Sequence, residues 1–161
     1  MARTIRHRIG RPLRAYVDTS VFGGVHDVEF QQPSERFFAA VTAGDIIILV
    51  SAATADEIAG APEVVQHTFR EHFPRMELLE NSPEATRLAQ AYLAAKVVRR
   101  SAQVDALHVA TASVARTDVL VSWNFRDIVQ LKRIRGFHAV NVAHGYPLIE
   151  IRSPLEVIYE P

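Results

Sequence analysis

Two hydrophobic rhythms alternate along this chain: short continuous apolar runs, and longer stretches whose apolar positions return every third or fourth residue. Ala15 to Asp18 reads as a short buried strand, and Ile46-Ile47-Ile48-Leu49-Val50, bounded by Gly44-Asp45, as a strand covered on both faces. Asp118 to Ser122 predicts another core strand, Met76 to Leu79 a short edge strand and Ile149 to Ile151 a last one. Helical spacing predicts helices over Pro33 to Ala43, Pro62 to Phe73, Pro83 to Ala95 and Ser101 to Ala115. A further helix is expected from an N-cap at Ser51 through Glu57 to Ile58, ended by Gly60 and Pro62. Asn124 to Leu131 is read as helix, Pro147 and Pro154 as breaks, and the segment holding His138 and His144 as weakly periodic. On the Ser101 to Ala115 helix the expected inward face is Val104, Leu107, His108, Thr111 and Val114.

Such alternation implies an α/β fold in three layers, a mostly parallel sheet flanked by helices. Functional groups in such a sheet gather beyond the carboxyl ends of the strands. Asp18 ends the first strand, Glu57 follows the second by about one helical turn, and Asn124 and Asp127 follow the strand at Val119. Asp105, on a helix between Val104 and Leu107, lies beside the apolar stripe. Acids crowded into one cleft repel one another unless something neutralises them, and a hard divalent cation bound by carboxylate oxygens does so. Each acid also has a bland reading. Asp18 can begin a turn, Glu57 can face solvent, and Asp105 can lie on a solvated face beside Arg99 or Arg100.

Composition adds bounds. With 161 residues, 48% of them apolar, the chain is expected to form one domain with a full core, residues 14–161, behind a basic leader, residues 1–13. The leader reads either as a disordered, solvated segment or as a phosphate-contacting arm. The absence of Cys removes disulfides and thiolate chemistry and fits a reducing cytoplasm. No run suggests a membrane span or a signal peptide, so a cytoplasmic protein with no membrane partner is expected. The formal net charge of zero conceals an asymmetry. Arg3, Arg6, Arg8, Arg11 and Arg14 open the chain with no acid among them, acids concentrate between Asp45 and Glu84, and Lys96 to Arg135 is richer in bases.

Several chemistries lack their residues. A phosphatase with an aspartyl nucleophile needs a second Asp two positions on, where Ser20 stands. Neither the Gly-flanked nucleophile turn of a serine hydrolase nor a Gly-rich nucleotide loop is present.

The stretches Tyr16-Val17-Asp18-Thr19-Ser20, Ala55-Asp56-Glu57-Ile58, Asp105-Ala106-Leu107-His108-Val109-Ala110-Thr111-Ala112 and Leu120-Val121-Ser122-Trp123-Asn124-Phe125, in this order, resemble the motifs of PIN-domain ribonucleases, particularly VapC-like toxins of toxin–antitoxin pairs. The resemblance runs from about Arg14 to the segment ending at Ile151. It implies a PIN-like fold and a Mg²⁺- or Mn²⁺-dependent endoribonuclease. Asp18 and Asp105 would be direct metal ligands, Glu57 a ligand or an acceptor positioning water, and Asn124 would take the fourth position. A neutral amide offers no charge there and takes no proton, and Asp127 can restore the charge or be a solvent-facing helix residue near Arg126. The resemblance further implies an RNA substrate, a small antitoxin partner gripped by the helices from Pro33 to Phe73, and a homodimer. Phe37, Phe38, Val64, Val65 and Phe69 would serve those contacts or the core. The alternative is a PIN-like RNA-binding or protein-interaction module with weak or no catalysis.

Around these acids, Thr19, Ser20 and Ser122 can hydrogen-bond carboxylates or act as ordinary turn and capping residues. His108 shares a helical face with Asp105 and can serve as a general base, or pack against a strand with one nitrogen on backbone. Trp123 and Phe125 can stack on bases or pack.

Overall fold

Side chains alternate across the first strand, β1 (Leu13–Val17), and the alternation sorts the molecule into layers. Ala15 and Val17 enter one core with Ile48, Val50 and Val121, while Tyr16 enters a second with Leu49, Leu120 and Ile151. The computed structural model describes residues 10–158. β2 (Ile46–Ser51), β3 (Glu77–Leu79), β4 (Val119–Val121) and β5 (Glu150–Arg152) complete a five-stranded sheet in the order β3-β2-β1-β4-β5. Every pairing is parallel, which requires a crossover between each sequential pair of strands.

The first core is closed by α1 (Thr19–Gly24), α2 (Gln31–Thr42), α3 (Ala52–Ala59), α4 (Glu63–His72) and part of the chain around α8 (Pro154–Val157). The second is closed by α5 (Pro83–Ala94), α6 (Gln103–Val114) and α7 (Leu131–Ala143). The starts of several helices are legible locally. Ser82 accepts from the Ala85 N–H at 3.0 Å with Pro83 in the first turn, and Ser51 and Thr54 form a reciprocal cap on α3.

Three expectations change. Residues 124–130 are irregular chain with turns and bends, and the helix is α7, which begins where that one was to end. Its stripe of Ile134, Phe137 and Val140 is interrupted by Gly136 and by buried Asn141, which weakens the period. Gly136 is required by contact, since a Cβ there would lie 2.7 Å from the Val97 side chain. On α6 His108 and Thr111 are buried as expected and Leu107 and Val114 pack partly buried against the second core, but Ala106, Val109, Ala110, Ala112 and Ser113 are buried as well and Val104 is exposed. Small residues let α6 sit closely against Leu88, Ala89 and Tyr92 of α5, and they outrank the larger Val104.

In the Pro33 to Phe73 region most of the residues named for core or partner contacts take the core role. Phe37, Phe38, Val65 and Phe69 are buried, with Phe22 ringed by Phe38 at 5.5 Å and Phe69 at 5.2 Å, and of the five residues only Val64 is exposed. Finally, β1 starts at Leu13, and Arg11 clasps Asp118 through both terminal guanidinium nitrogens at 2.9 and 2.8 Å, so the folded part begins before residue 14. Residues 1–9 of the expected leader lie outside the described residues. Among the described residues no helix is long and apolar enough to cross a membrane.

Candidate functional site

β1 and β4 are neighbours, yet the chain leaves β1 toward β2 on one side and leaves β4 toward β5 on the other. Crossovers of opposite direction open a crevice beyond the carboxyl ends of two such strands. Asp18 stands at that point, directly after β1 and before α1, with extended backbone at φ −82° and ψ 171°. Its side chain is buried and accepts two hydrogen bonds, from Ser20 Oγ at 2.6 Å and from Ser122 Oγ at 2.9 Å. Both hydroxyls also accept, Ser20 from the Trp123 N–H and Ser122 from the Asn124 N–H, each at 2.9 Å. The two serines therefore tie the start of α1 to the end of β4 through Asp18, and bind a carboxylate in addition to shaping turns.

Glu57 comes from α3 and Asp105 from the first turn of α6. One Glu57 oxygen, Oε1, accepts from Thr19 Oγ1 at 3.0 Å and pairs with His108 Nε2 at 2.5 Å. The other face of His108 meets the Tyr16 hydroxyl through Nδ1 at 2.6 Å, and that hydroxyl lies 2.8 Å from Ser51 Oγ. His108 is thus packed against β1, as the packed-histidine reading expects, but its two nitrogens bond side chains and, among the described residues, no backbone atom. Tyr16 escaped the sequence reading, although its phase in β1 carried the signal: a phenol directed into a buried layer needs a polar partner.

The charges of these groups interact. Burial raises the Asp18 carboxyl above its usual range, although His108, Ser20 and Ser122 oppose the shift. Burial, and next the field of Asp18, push Asp105 up to about 6. Its carboxylate receives no hydrogen bond from the described residues. At Glu57 burial acts upward, but the bond and charge of His108 and the Thr19 hydroxyl hold it below the ordinary range. For His108 burial disfavours the cation, and the Tyr16 oxygen, Glu57 and Asp18 outweigh it, pushing the imidazole up to about 10. An imidazolium donates from both nitrogens, which suits Tyr16 on one side and Glu57 on the other. That leaves it without a vacant lone pair for the general-base role.

Asn124 and Asp127 are engaged differently. Asn124 Oδ1 accepts from the N–H groups of Arg126 and Asp127 at 3.2 and 3.0 Å, so its amide closes the turn after β4. Asp127 is buried and paired with Arg99 through two bonds, Nε to Oδ1 at 3.1 Å and Nη2 to Oδ2 at 3.0 Å. The fourth position thus lends shape, and the charge of Asp127 is answered by Arg99. Trp123 is packed, stacked on Phe30 at 4.3 Å and bonded to Ser34 Oγ at 2.9 Å, whereas Phe125 is exposed.

Among the described residues no three acidic or histidine side chains converge closely enough to form a ready metal cage. Asp18 and Asp105 nonetheless suit a cation that keeps several waters and takes one or two carboxylates, because their mutual repulsion is relieved by positive charge.

The parallel order and the layers define a three-layer α/β protein of PIN-like fold, with its acidic groups at the switch point of the sheet. A solved structure of similar fold is a chain in the crystal structure of VapBC2 from Rickettsia felis bound to a DNA fragment from their promoter. The TM-score is 0.54 at 10% sequence identity, covering 88% of this chain and 98% of that chain. At such identity the likeness is one of fold. No family model and no curated protein matches the sequence.

Proposed function

We propose that this chain is a metal-dependent endoribonuclease that hydrolyses RNA phosphodiester bonds, and that it acts as the toxin of a toxin–antitoxin pair. The observation that carries the reading is Asp105, a partly buried carboxylate with no hydrogen-bond donor among the described residues, placed in the field of Asp18 and Glu57. A carboxylate kept in that condition raises the energy of the free protein and is relieved by a cation. Asp18 and Asp105 would hold Mg²⁺ or Mn²⁺. Bound there, the ion would supply positive charge against the phosphate and lower the pKa of a water. Ser20 and Ser122 orient Asp18, and Glu57, fixed through Oε1, offers Oε2 to a ligand or a water.

The similarity to a chain of VapBC2 supports a small antitoxin partner, and the resemblance of the motifs supports a homodimer. A second reading draws on Asn124, whose amide oxygen is held by backbone N–H groups, and on the neutralised Asp127. With only Asp18, Glu57 and Asp105 left for catalysis, the chain would be a binding module with little or no cleavage.

Cleavage of labelled single-stranded RNA in Mg²⁺ or Mn²⁺ separates the two. Wild type is expected to cut, EDTA to stop it, and Asp105→Asn to lose more than the ~10–100-fold that loss of a supporting partner costs. RNA that stays whole while still bound selects the binding module. Cutting that survives both EDTA and Asp105→Asn sinks the metal-nuclease reading.

A further inference from the structure

The three buried groups behind Glu57 form a line of side chains that a structural core does not need: Ser51, Tyr16, His108 and then Glu57. Tyr16 and His108 are both essentially inaccessible, and Glu57 is half-exposed. The line crosses from β2 through β1 to α6 and ends on α3, so each side chain is set by a different element. Ser51 restrains the phenol and also caps α3, the helix that carries Glu57. The phenol restrains Nδ1 of the imidazole, which leaves Nε2 aimed at Glu57 Oε1, where Thr19 adds a second donor at 3.0 Å. One carboxylate oxygen is thereby locked while Oε2 accepts no hydrogen bond from the described residues.

We propose that His108 and Tyr16 are positioning residues that act through Glu57, locking its Oε1 so that the carboxylate keeps one orientation with Oε2 left open to a ligand. The inference rests on the metal-nuclease reading and adds to it the way in which the third carboxylate is made available. A glutamate on a half-exposed helix face samples several rotamers, and supporting partners that fix a ligand's orientation typically account for ~10–100-fold in metal affinity or activity.

The test compares wild type, Tyr16→Phe, His108→Gln, His108→Leu, Glu57→Gln and the double variant His108→Leu/Glu57→Gln. Mn²⁺ affinity is read by calorimetry and cleavage by single-turnover kinetics. His108→Leu is expected to weaken both by ~10–100-fold. Tyr16→Phe, which removes only the hydroxyl, weakens them in the same direction by less. His108→Gln places an amide donor near the former Nε2 and recovers part of the loss. In the Glu57→Gln background, removing His108 has no further effect, because the group it acts through is already altered.

Equal losses from His108→Leu in both backgrounds, with no recovery by His108→Gln, show a merely structural histidine and overturn the proposal. Should His108→Leu fail to fold, Tyr16→Phe in the wild-type and Glu57→Gln backgrounds decides by the same comparison. A wild type that neither binds Mn²⁺ nor cuts RNA sinks the nuclease reading and the positioning role with it. A wild type that does both, with variants that match it, overturns the positioning role alone.

Discussion

Asp18 illustrates how few atoms hold this switch point of the sheet together. Its two oxygens take one serine hydroxyl each, and both hydroxyls pass the connection on to backbone N–H groups of the next strand's end. Ser122→Ala removes a donor from a buried carboxylate and leaves the Asn124 N–H without its acceptor. A loss of about 1–3 kcal/mol in unfolding free energy is expected. Urea titration checks it: the midpoint falls with an unchanged slope, and a midpoint equal to wild type removes the claim. At this scale Asp18, Glu57 and Asp105 were legible as candidates because their types and places after strands or beside an apolar stripe are written in the chain. The engagement of Asn124 with its own turn, and the answer of Arg99 to Asp127, were not. Arg99 and Asp127 are 28 residues apart, and their meeting depends on how the loop before α6 and the loop after β4 fold together.

Between elements, small residues decide distances. Gly24, at the end of α1, has the side chains of Ser34 and Trp123 so near that a Cβ would lie 2.5 Å from Ser34 Oγ and 2.6 Å from Trp123 Nε1. Trp123 cannot retreat, being stacked on Phe30 and bonded to Ser34. Gly24→Ala is therefore expected to destabilise by about 1–3 kcal/mol through overpacking, although alanine is the better helix former. Trp123 is the chain's only tryptophan, so its fluorescence reports both the local disturbance and the shift in the denaturation curve. A variant as stable as wild type with unchanged emission defeats the account. Strands at Ile46 and Val119 were legible because apolar runs bounded by turns mean buried strands here. α1 was missed because Thr-Ser-Val-Phe-Gly-Gly has poor helix propensity, and it forms where Val21 and Phe22 bury against the first core.

For the whole molecule, the titrating groups set opposing trends with pH. Asp105, at about 6 in the folded chain, keeps a proton that the unfolded chain releases from about pH 4 upward. Stability therefore falls as pH rises from about 4 through 6. His108, raised to about 10, contributes stability that is fully present below its ordinary value near 6.5 and is lost as pH rises toward 10. Glu57, held low, contributes above the ordinary carboxylate range and loses that contribution as pH falls through its folded value. Asp105→Asn should thus stabilise the metal-free protein at pH 7.5. Discounted for partial exposure, the gain is about 1 kcal/mol, or ~2–4 °C in melting temperature, and it is smaller at pH 4. A melting temperature at pH 7.5 no higher than wild type contradicts the repulsion account. The sequence alone determined the α/β class, the positions of the main strands and the acids that follow them, because period, turn residues and residue type are local properties. The tertiary structure alone decided the strand order that sets the switch point between β1 and β4, the partners of His108, Asn124 and Asp127, and the burial of Phe37, Phe38 and Phe69. Those outcomes depend on which distant segments meet, and the energy that selects them comes from burying shared surface and satisfying shared polar groups, which no short stretch of chain contains.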